Sequence, residues 1–347
     1  MSNELLERLG IELPIIQAPM AGSQGSALAI AVSNAGGLGS LPCAMLGVDA
    51  MSKEIAAIRA ATQGPFAVNF FCHKPPRDDA ERDAAWRTLL KPYYRDFRVD
   101  PNSIPRGAPR RPFDIEYADV LAKFAPPVVT FHFGLPSPEL VDQVRAWGAF
   151  VMSSATTVDE ALWLEERGVD AVIAQGAEAG GHRGMFLTTD VATQVGTFAL
   201  LPQIVRAVKV PVIAAGGIAD ARGVRAVLSL GASAAQVGTA YLLCPEATTG
   251  AVHRAALAGS ASRVTALTNV FTGRPARGIV NRLMREMGPI NATAPEFPLA
   301  AAAVAPLRAK AEALGSGDFS PLWSGQNATG CKPIPAAELT RELAAFP

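Results

Sequence analysis

Short, continuously apolar runs recur along the chain, with helix-like stretches between them. The runs are IIQA at 15–18, GLGSL at 37–41, FAVNF at 66–70 and VVTFHF at 128–133, followed by FVMSS at 150–154, AVIAQ at 171–175, PVIAA at 211–215 and AAQVG at 234–238. A strand with one wet face alternates apolar and polar residues, whereas a strand covered on both faces is apolar throughout. These runs are of the second kind. The intervening stretches carry helix signals. SALAIAVSNAGG at 26–37 ends in glycines, which suit a helix C-terminus. In SPELVDQVRAWG at 137–148, Ser137 is a cap followed by Pro138 at the first helical position. TTVDEALWLEERG at 156–168 and IADARGVRAVLSLG at 218–231 each close on glycine. Eight alternations of strand and helix predict an α/β fold of the (β/α)8 TIM-barrel class. An open doubly wound sheet is the competing architecture, but no GxGxxG opens the first strand-to-helix turn.

Two segments break the rhythm. Residues 73–112 hold KPPRDD, a helix-like stretch around Trp86 and the loop PNSIPRGAPRRP, and read as an insertion on the barrel rim. Residues 246–316 are alanine-rich with helical stretches near 247–258 and 299–314, and read as a small C-terminal helical subdomain beside the barrel of residues 1–245. Residues 317–347 are expected to pack back on the barrel, with DFSPLWSGQNATG at 318–330 either covering a ligand or only packing.

Composition narrows the function. Lys+Arg and Asp+Glu are both 31, which gives no electrostatic case for nucleic acid or an anionic membrane surface. Arg106, Arg110 and Arg111 cluster among prolines and read as a solvated loop, with gripping an anion as the lesser alternative. No apolar run approaches the ~20 residues of a membrane span, and the polar N-terminus lacks a signal-peptide core. A cytoplasmic protein is the expectation. Cys43, Cys72, Cys244 and Cys331 are scattered without a CxxC pair, which argues for free thiols and against zinc. No metal site is expected, since the histidines lack partner carboxylates at suitable spacing.

In a barrel of this class the active site lies at the C-terminal strand ends. Those ends offer Gln17, Met20 and Gly22 after the first run, Asn69 after the third, His132 after the fourth and Gln175 after the sixth. The last two ends offer Gly216 and Gly217, then Gln236, Gly238 and Thr239. Loops after the seventh and eighth strands commonly cradle a phosphate with backbone N–H groups, though such glycines also serve merely as tight turns. Asn69 and Gln175 are suited to reading a heterocycle edge or to capping loop backbone. His182, in the glycine-lined AQGAEAGGHRG at 174–184, is a candidate proton-transfer group. His132 either points into the barrel mouth or is a core histidine. His73 and His253 read as surface residues.

QAPMAG, AVNFF, AQGAEAGGHRG, VIAAGGIADARGV and QVGTAYL follow one another in order between residues 10 and 245. Together they resemble the nitronate monooxygenases, formerly called 2-nitropropane dioxygenases. The resemblance implies one non-covalent FMN. Met20 and Gly22 would lie near its ring, with Asn69, Gln175, Gly180 and Gly216 also in contact, and Gly217, Gln236, Gly238 and Thr239 would hold the phosphate end. It places His182 at the catalytic histidine position, where it deprotonates a nitroalkane or orients a nitronate. The nitronate then passes one electron to FMN, dioxygen traps the radicals, and a carbonyl compound and nitrite result. A histidine at the strand end of His132 recurs among nitronate-oxidising members, while Phe297 stands where the resemblance would place a tyrosine. The partners implied are a small-molecule substrate and dioxygen, and a homodimer is left open. The same superfamily holds NAD(P)H-dependent reductases of quinones or enoyl thioesters, which is the alternative activity. A phosphate-binding barrel without redox chemistry is the third.

Overall fold

The computed structural model describes residues 4–108 and 110–345. In chain order its strands are β1 (Ile15–Gln17), β2 (Gly39–Pro42), β3 (Phe66–Phe71), β4 (Val128–His132), β5 (Phe150–Ala155), β6 (Ala171–Gln175), β7 (Gly181–His182), β8 (Val212–Ala215), β9 (Ala234–Val237), β10 (Thr265–Thr268) and β11 (Ala276–Ile279). Eight of them pair in parallel in the order β1-β9-β8-β6-β5-β4-β3-β2. The ring closes where Gln17 N donates to Leu38 O and Leu38 N to Ile15 O, both at 2.9 Å. The eight apolar runs are these eight strands, so the (β/α)8 barrel holds.

Alternation along each strand sorts the side chains. Ile15, Val68, Val129, Val151, Val172, Val212 and Ala235 face outward and join the helices in the largest core. Ile16, Ala67, Val128, Met152, Ile173, Ile213 and Ala234 belong to a separate inner core. Leu5 and Leu9, from the helix Glu4–Leu9, join that inner core and plug one mouth. Two residues further along five of these strands, the inner set continues at the other mouth as Asn69, Thr130, Ser154, Gln175 and Gln236. The inside of the barrel therefore turns from apolar to polar along its axis.

A further core lies beyond that polar mouth. Helix Ala80–Asp96, inside the excursion after β3, packs Trp86, Leu90 and Tyr94 against Ala303, Val304 and Leu307 of helix Ala300–Ala313. Tyr94 donates to Ala303 O at 2.8 Å. The excursion and the C-terminal segment thus share one core. The segment 245–316, read as helical, also contains the antiparallel hairpin β10–β11, and β11 pairs in turn with β7. Helix Ala336–Ala344 returns to the barrel wall, where Thr340 Oγ1 meets the Tyr241 hydroxyl at 2.8 Å.

Candidate active site

The polar mouth carries the histidines. His132 ends β4, and its Nε2 lies 3.1 Å from His182 O. A carbonyl only accepts, so Nε2 holds the proton and Nδ1 accepts from Ser154 Oγ at 3.0 Å. Both ring nitrogens are thus occupied by protein, and burial lowers the pKa of this imidazole to about 3. Gln175 is engaged in the same way: Nε2 donates to His182 O at 3.0 Å and Oε1 accepts from Gly184 N at 2.7 Å. It caps the loop that carries His182. Asn69 Nδ2 donates to Thr130 Oγ1 at 2.9 Å.

His182 sits on β7, held in register opposite Ala276 of β11. Its ring lies 5.2 Å from that of Phe297, 5.4 Å from Trp323, 6.1 Å from Phe133 and 6.2 Å from Phe71. Its Nε2 meets Thr272 Oγ1 at 2.9 Å. Burial holds its pKa well below the ordinary imidazole value, and Arg110, His132, Arg274 and His73 add to the shift. The sequence reading put His73 on the surface. It is instead 4% exposed, because the chain leaving β3 turns it under Phe297, with ring centroids 4.9 Å apart. His73 Nε2 donates to Arg110 O at 2.9 Å, and burial lowers its pKa to about 4. His253 is likewise not a surface residue: it is half-buried, with Nε2 enclosed. Three imidazoles and three phenylalanines therefore line one box. Among the described residues, no group of His, Cys, Asp or Glu is arranged to hold a metal ion.

Two guanidinium groups flank this box. Arg274 lies 3.9 Å over the Phe133 ring and Arg110 lies 5.3 Å over Phe297. Arg111 and Arg106 of the basic loop pair with Asp114, Glu116 and Asp78, but Arg110 and Arg274 do not pair. Among the described residues, neither has a carboxylate within ion-pairing distance. Both are half-buried, Arg274 donates to Met185 O, and desolvation lowers the Arg274 pKa to about 10.

The glycine ends lie on neighbouring strands. Ala215 of β8 pairs with Gln236 of β9, so the turns at Gly216–Gly217 and Gly238–Thr239 leave side by side. Gly216 and Gly217 have φ of +116° and +76°, which favours glycine. The N–H groups of Gly217, Gly238 and Thr239 are donated to no described protein acceptor. Adjacent free N–H groups of this kind form an anion cradle, which fits a phosphate. The tail crosses here: Asn327 Nδ2 donates to Gly217 O at 3.1 Å and Gly325 N to Thr239 Oγ1 at 2.9 Å. Gly180 serves that crossing, since a Cβ on it would sit 2.5 Å from Gly325 N. Met20 follows β1, its N–H held by Gln24 Oε1 at 3.1 Å, and its sulfur lies 3.7 Å from where a Cβ on Gly238 would be. Gly22 is exposed at φ +83°.

The family model for nitronate monooxygenase matches residues 2–345. The chain belongs to the nitronate monooxygenase family. A nitronate monooxygenase of Pseudomonas aeruginosa is 42% identical over 99% of this chain and 98% of its own length. One of Paraburkholderia phytofirmans is 41% identical over 98% and 93%. Among solved structures, a nitroalkane oxidase from Streptomyces ansochromogenes superposes with a TM-score of 0.89 at 38% identity, covering 99% of this chain and 97% of that one. As a family member the protein is an oxidoreductase. Within this nitronate monooxygenase fold, the sequence missed Thr272, Arg274 and Trp323, which reach His182 from the C-terminal segment. Their only signal is the polar-aromatic character of TNVFTGRP at 268–275 and of the tail, and spacing does not link either to a strand end. Among the described residues, no helix is long and apolar enough to cross a membrane.

Proposed function

We propose that this protein uses FMN and dioxygen to oxidise alkyl nitronates, formed in place or supplied, to carbonyl compounds and nitrite. The carrying observation is an aromatic box beneath two unpaired guanidinium groups, with an uncharged imidazole at its edge. A nitronate is a small delocalised anion, and such a box exchanges its hydration for fixed cations and donors. Arg110 and Arg274 hold the charge, Phe71, Phe133 and Phe297 exclude water, and His182 orients the nitro group or takes a proton. His132 and Gln175 position the His182 backbone. Met20, Gly22, Asn69, Gln175 and Gly180 would lie along the flavin. Gly216, Gly217, Gln236, Gly238 and Thr239 would take its phosphate, as the free N–H groups support. FMN, when bound, supplies the one-electron acceptor and the reaction with dioxygen.

The alternative reading, NAD(P)H-dependent reduction of quinones or enoyl thioesters, is separated by anaerobic mixing. Ethylnitronate or propionate 3-nitronate is expected to bleach the flavin band of the purified protein, and NADH is expected to leave it unchanged on the same timescale. Bleaching by NADH alone would replace the proposal with the reductase. A colourless protein that takes up no FMN would remove both.

A further inference from the structure

Among the described residues, the side chain of His182 has one hydrogen-bond partner, Thr272 Oγ1, 2.9 Å from Nε2. The same hydroxyl lies 3.4 Å from the carbonyl oxygen of Arg274, to which it donates. A hydroxyl has a single proton, and a carbonyl only accepts. The 2.9 Å contact to His182 allows either direction; with the hydroxyl proton directed to Arg274 O, the lone pair of Thr272 Oγ1 accepts and Nε2 donates. The neutral ring then has no proton on Nδ1, and no described residue bonds to that nitrogen. Burial and the neighbouring cations keep the ring neutral.

The turn that presents Thr272 is fixed on every side. Gly273 N donates to Asn269 O at 2.7 Å. Asn269 is itself tied to Asn291: its Nδ2 donates to Asn291 O at 2.9 Å, and its Oδ1 accepts from Asn291 N at 2.8 Å. Arg183 N donates to Pro275 O at 2.9 Å, joining the turn to the residue after His182. Meanwhile His182 O accepts from both His132 and Gln175. The main chain is thus held between the barrel, through His182 O, and β11, through its pairing with Ala276, while the β10–β11 turn also meets the imidazole.

We propose that Thr272 is a positioning residue that locks His182 in the Nε2–H tautomer and so leaves Nδ1 as the base for neutral nitroalkanes. This rests on the function proposed above. In the step, the α C–H bond breaks, the proton passes to Nδ1 and the electron pair enters the nitro group, giving the nitronate without any redox change. Thr272 Oγ1 still accepts from Nε2 in the resulting imidazolium, so the ring need not turn. The nitronate formed in the same step lies between that cation and the two guanidinium groups, so charge separates only over a short distance. A preformed nitronate needs no such base and should be indifferent to the tautomer.

The test compares Thr272→Val, which cannot accept, with Thr272→Ser, which can, in flavin-loaded protein checked by its absorbance. Thr272→Val is expected to lower kcat/KM for nitroethane by about 10- to 100-fold, within the range that general-base catalysis supplies. Ethylnitronate turnover should stay within about threefold of wild type, because uniform binding is untouched. Thr272→Ser should recover most of the loss. Independently, 15N NMR of histidine-labelled wild-type protein, with His182 assigned through His182→Asn, should show the Nε2–H tautomer. An Nδ1–H signal, equal losses with both substrates, or a valine variant as fast as wild type on nitroethane would each overturn the assignment. Should the valine variant fail to load flavin, the wild-type tautomer decides. Wild-type protein inert toward ethylnitronate would instead sink the functional reading itself.

Discussion

Arg183 is 0% exposed and, among the described residues, has no carboxylate in ion-pairing contact, yet its guanidinium bonds shape the loop that carries His182. Its guanidinium donates to Gln175 O at 2.7 Å, Gly176 O at 2.8 Å and Gln194 Oε1 at 2.8 Å. Gln194 passes the link to Thr156 Oγ1 at 3.0 Å, and Thr156 donates through N and Oγ1 to the buried Glu160, both at 2.7 Å. The carboxylate also accepts from Phe186 N at 2.6 Å and Leu187 N at 3.2 Å. A buried cation and a buried anion are thus satisfied through a relay of neutral groups rather than by direct contact. Arg183→Met removes the guanidinium donor from Gln175 O and Gln194 Oε1, while Gly176 O keeps Ala179 N at 3.0 Å, and each buried orphan costs ~1–3 kcal/mol. The expected loss is ~3 kcal/mol or more in urea unfolding, and a loss under ~1 kcal/mol would show that the loop is held elsewhere. Gly217→Val acts differently. At φ +76° any side chain is strained, while the nearest atom a Cβ would meet is Glu178 Cβ at 3.5 Å. The cost therefore falls on the free N–H of the cradle, and FMN affinity should drop at least ~10-fold by fluorescence titration, with little change in the fold.

At the scale of elements, the barrel was legible because its signal is local. Each strand is a continuous apolar run, and the inward series that ends in Asn69, Ser154, Gln175 and Gln236 follows from alternation and the strand-end rule together. The side-by-side glycine turns were legible for the same reason, since Gly216–Gly217 and Gly238 stand directly after apolar runs. The hairpin β10–β11 was not. Its partner β7 is two residues long and lies about a hundred positions upstream, and strand preference depends on such pairing more than on composition. His73 was misplaced because nothing local shows that Phe297, far along the chain, covers it. The hairpin's turn makes a prediction of its own. Gly273 has φ +88°, and a Cβ on it would sit 1.9 Å from Pro295 O, which is backbone and cannot rotate away. Gly273→Ala should therefore displace the turn, costing ~2–4 kcal/mol in thermal or urea unfolding. It should also depress nitroethane turnover more than ethylnitronate turnover. A variant with unchanged stability would mean that the 295–297 segment yields freely.

The whole molecule contains four histidines, and all four are shifted toward the neutral form in the folded state. Burial is the largest cause at each. It lowers His132 to about 3 and His73 and His253 to about 4, and holds His182 well below 6.5. Once unfolded, each imidazole titrates near its ordinary value. Between that value and the folded one the unfolded chain binds more protons, so stability is complete above about pH 6.5 and falls as the pH drops toward 4. Each histidine adds at most ~1.4 kcal/mol per pH unit to the slope. The melting temperature of flavin-saturated protein should therefore decline steadily from pH 7 to pH 5. His73→Asn should flatten the decline by removing one contributor, and because Asn keeps a donor toward Arg110 O it isolates titration from the lost hydrogen bond. A melting temperature flat across that interval would show that these rings are already protonated or solvated in the fold. The burial that keeps the bases unprotonated for chemistry is the burial that makes the molecule acid-sensitive, so a mild-acid optimum for stability and an uncharged His182 exclude one another.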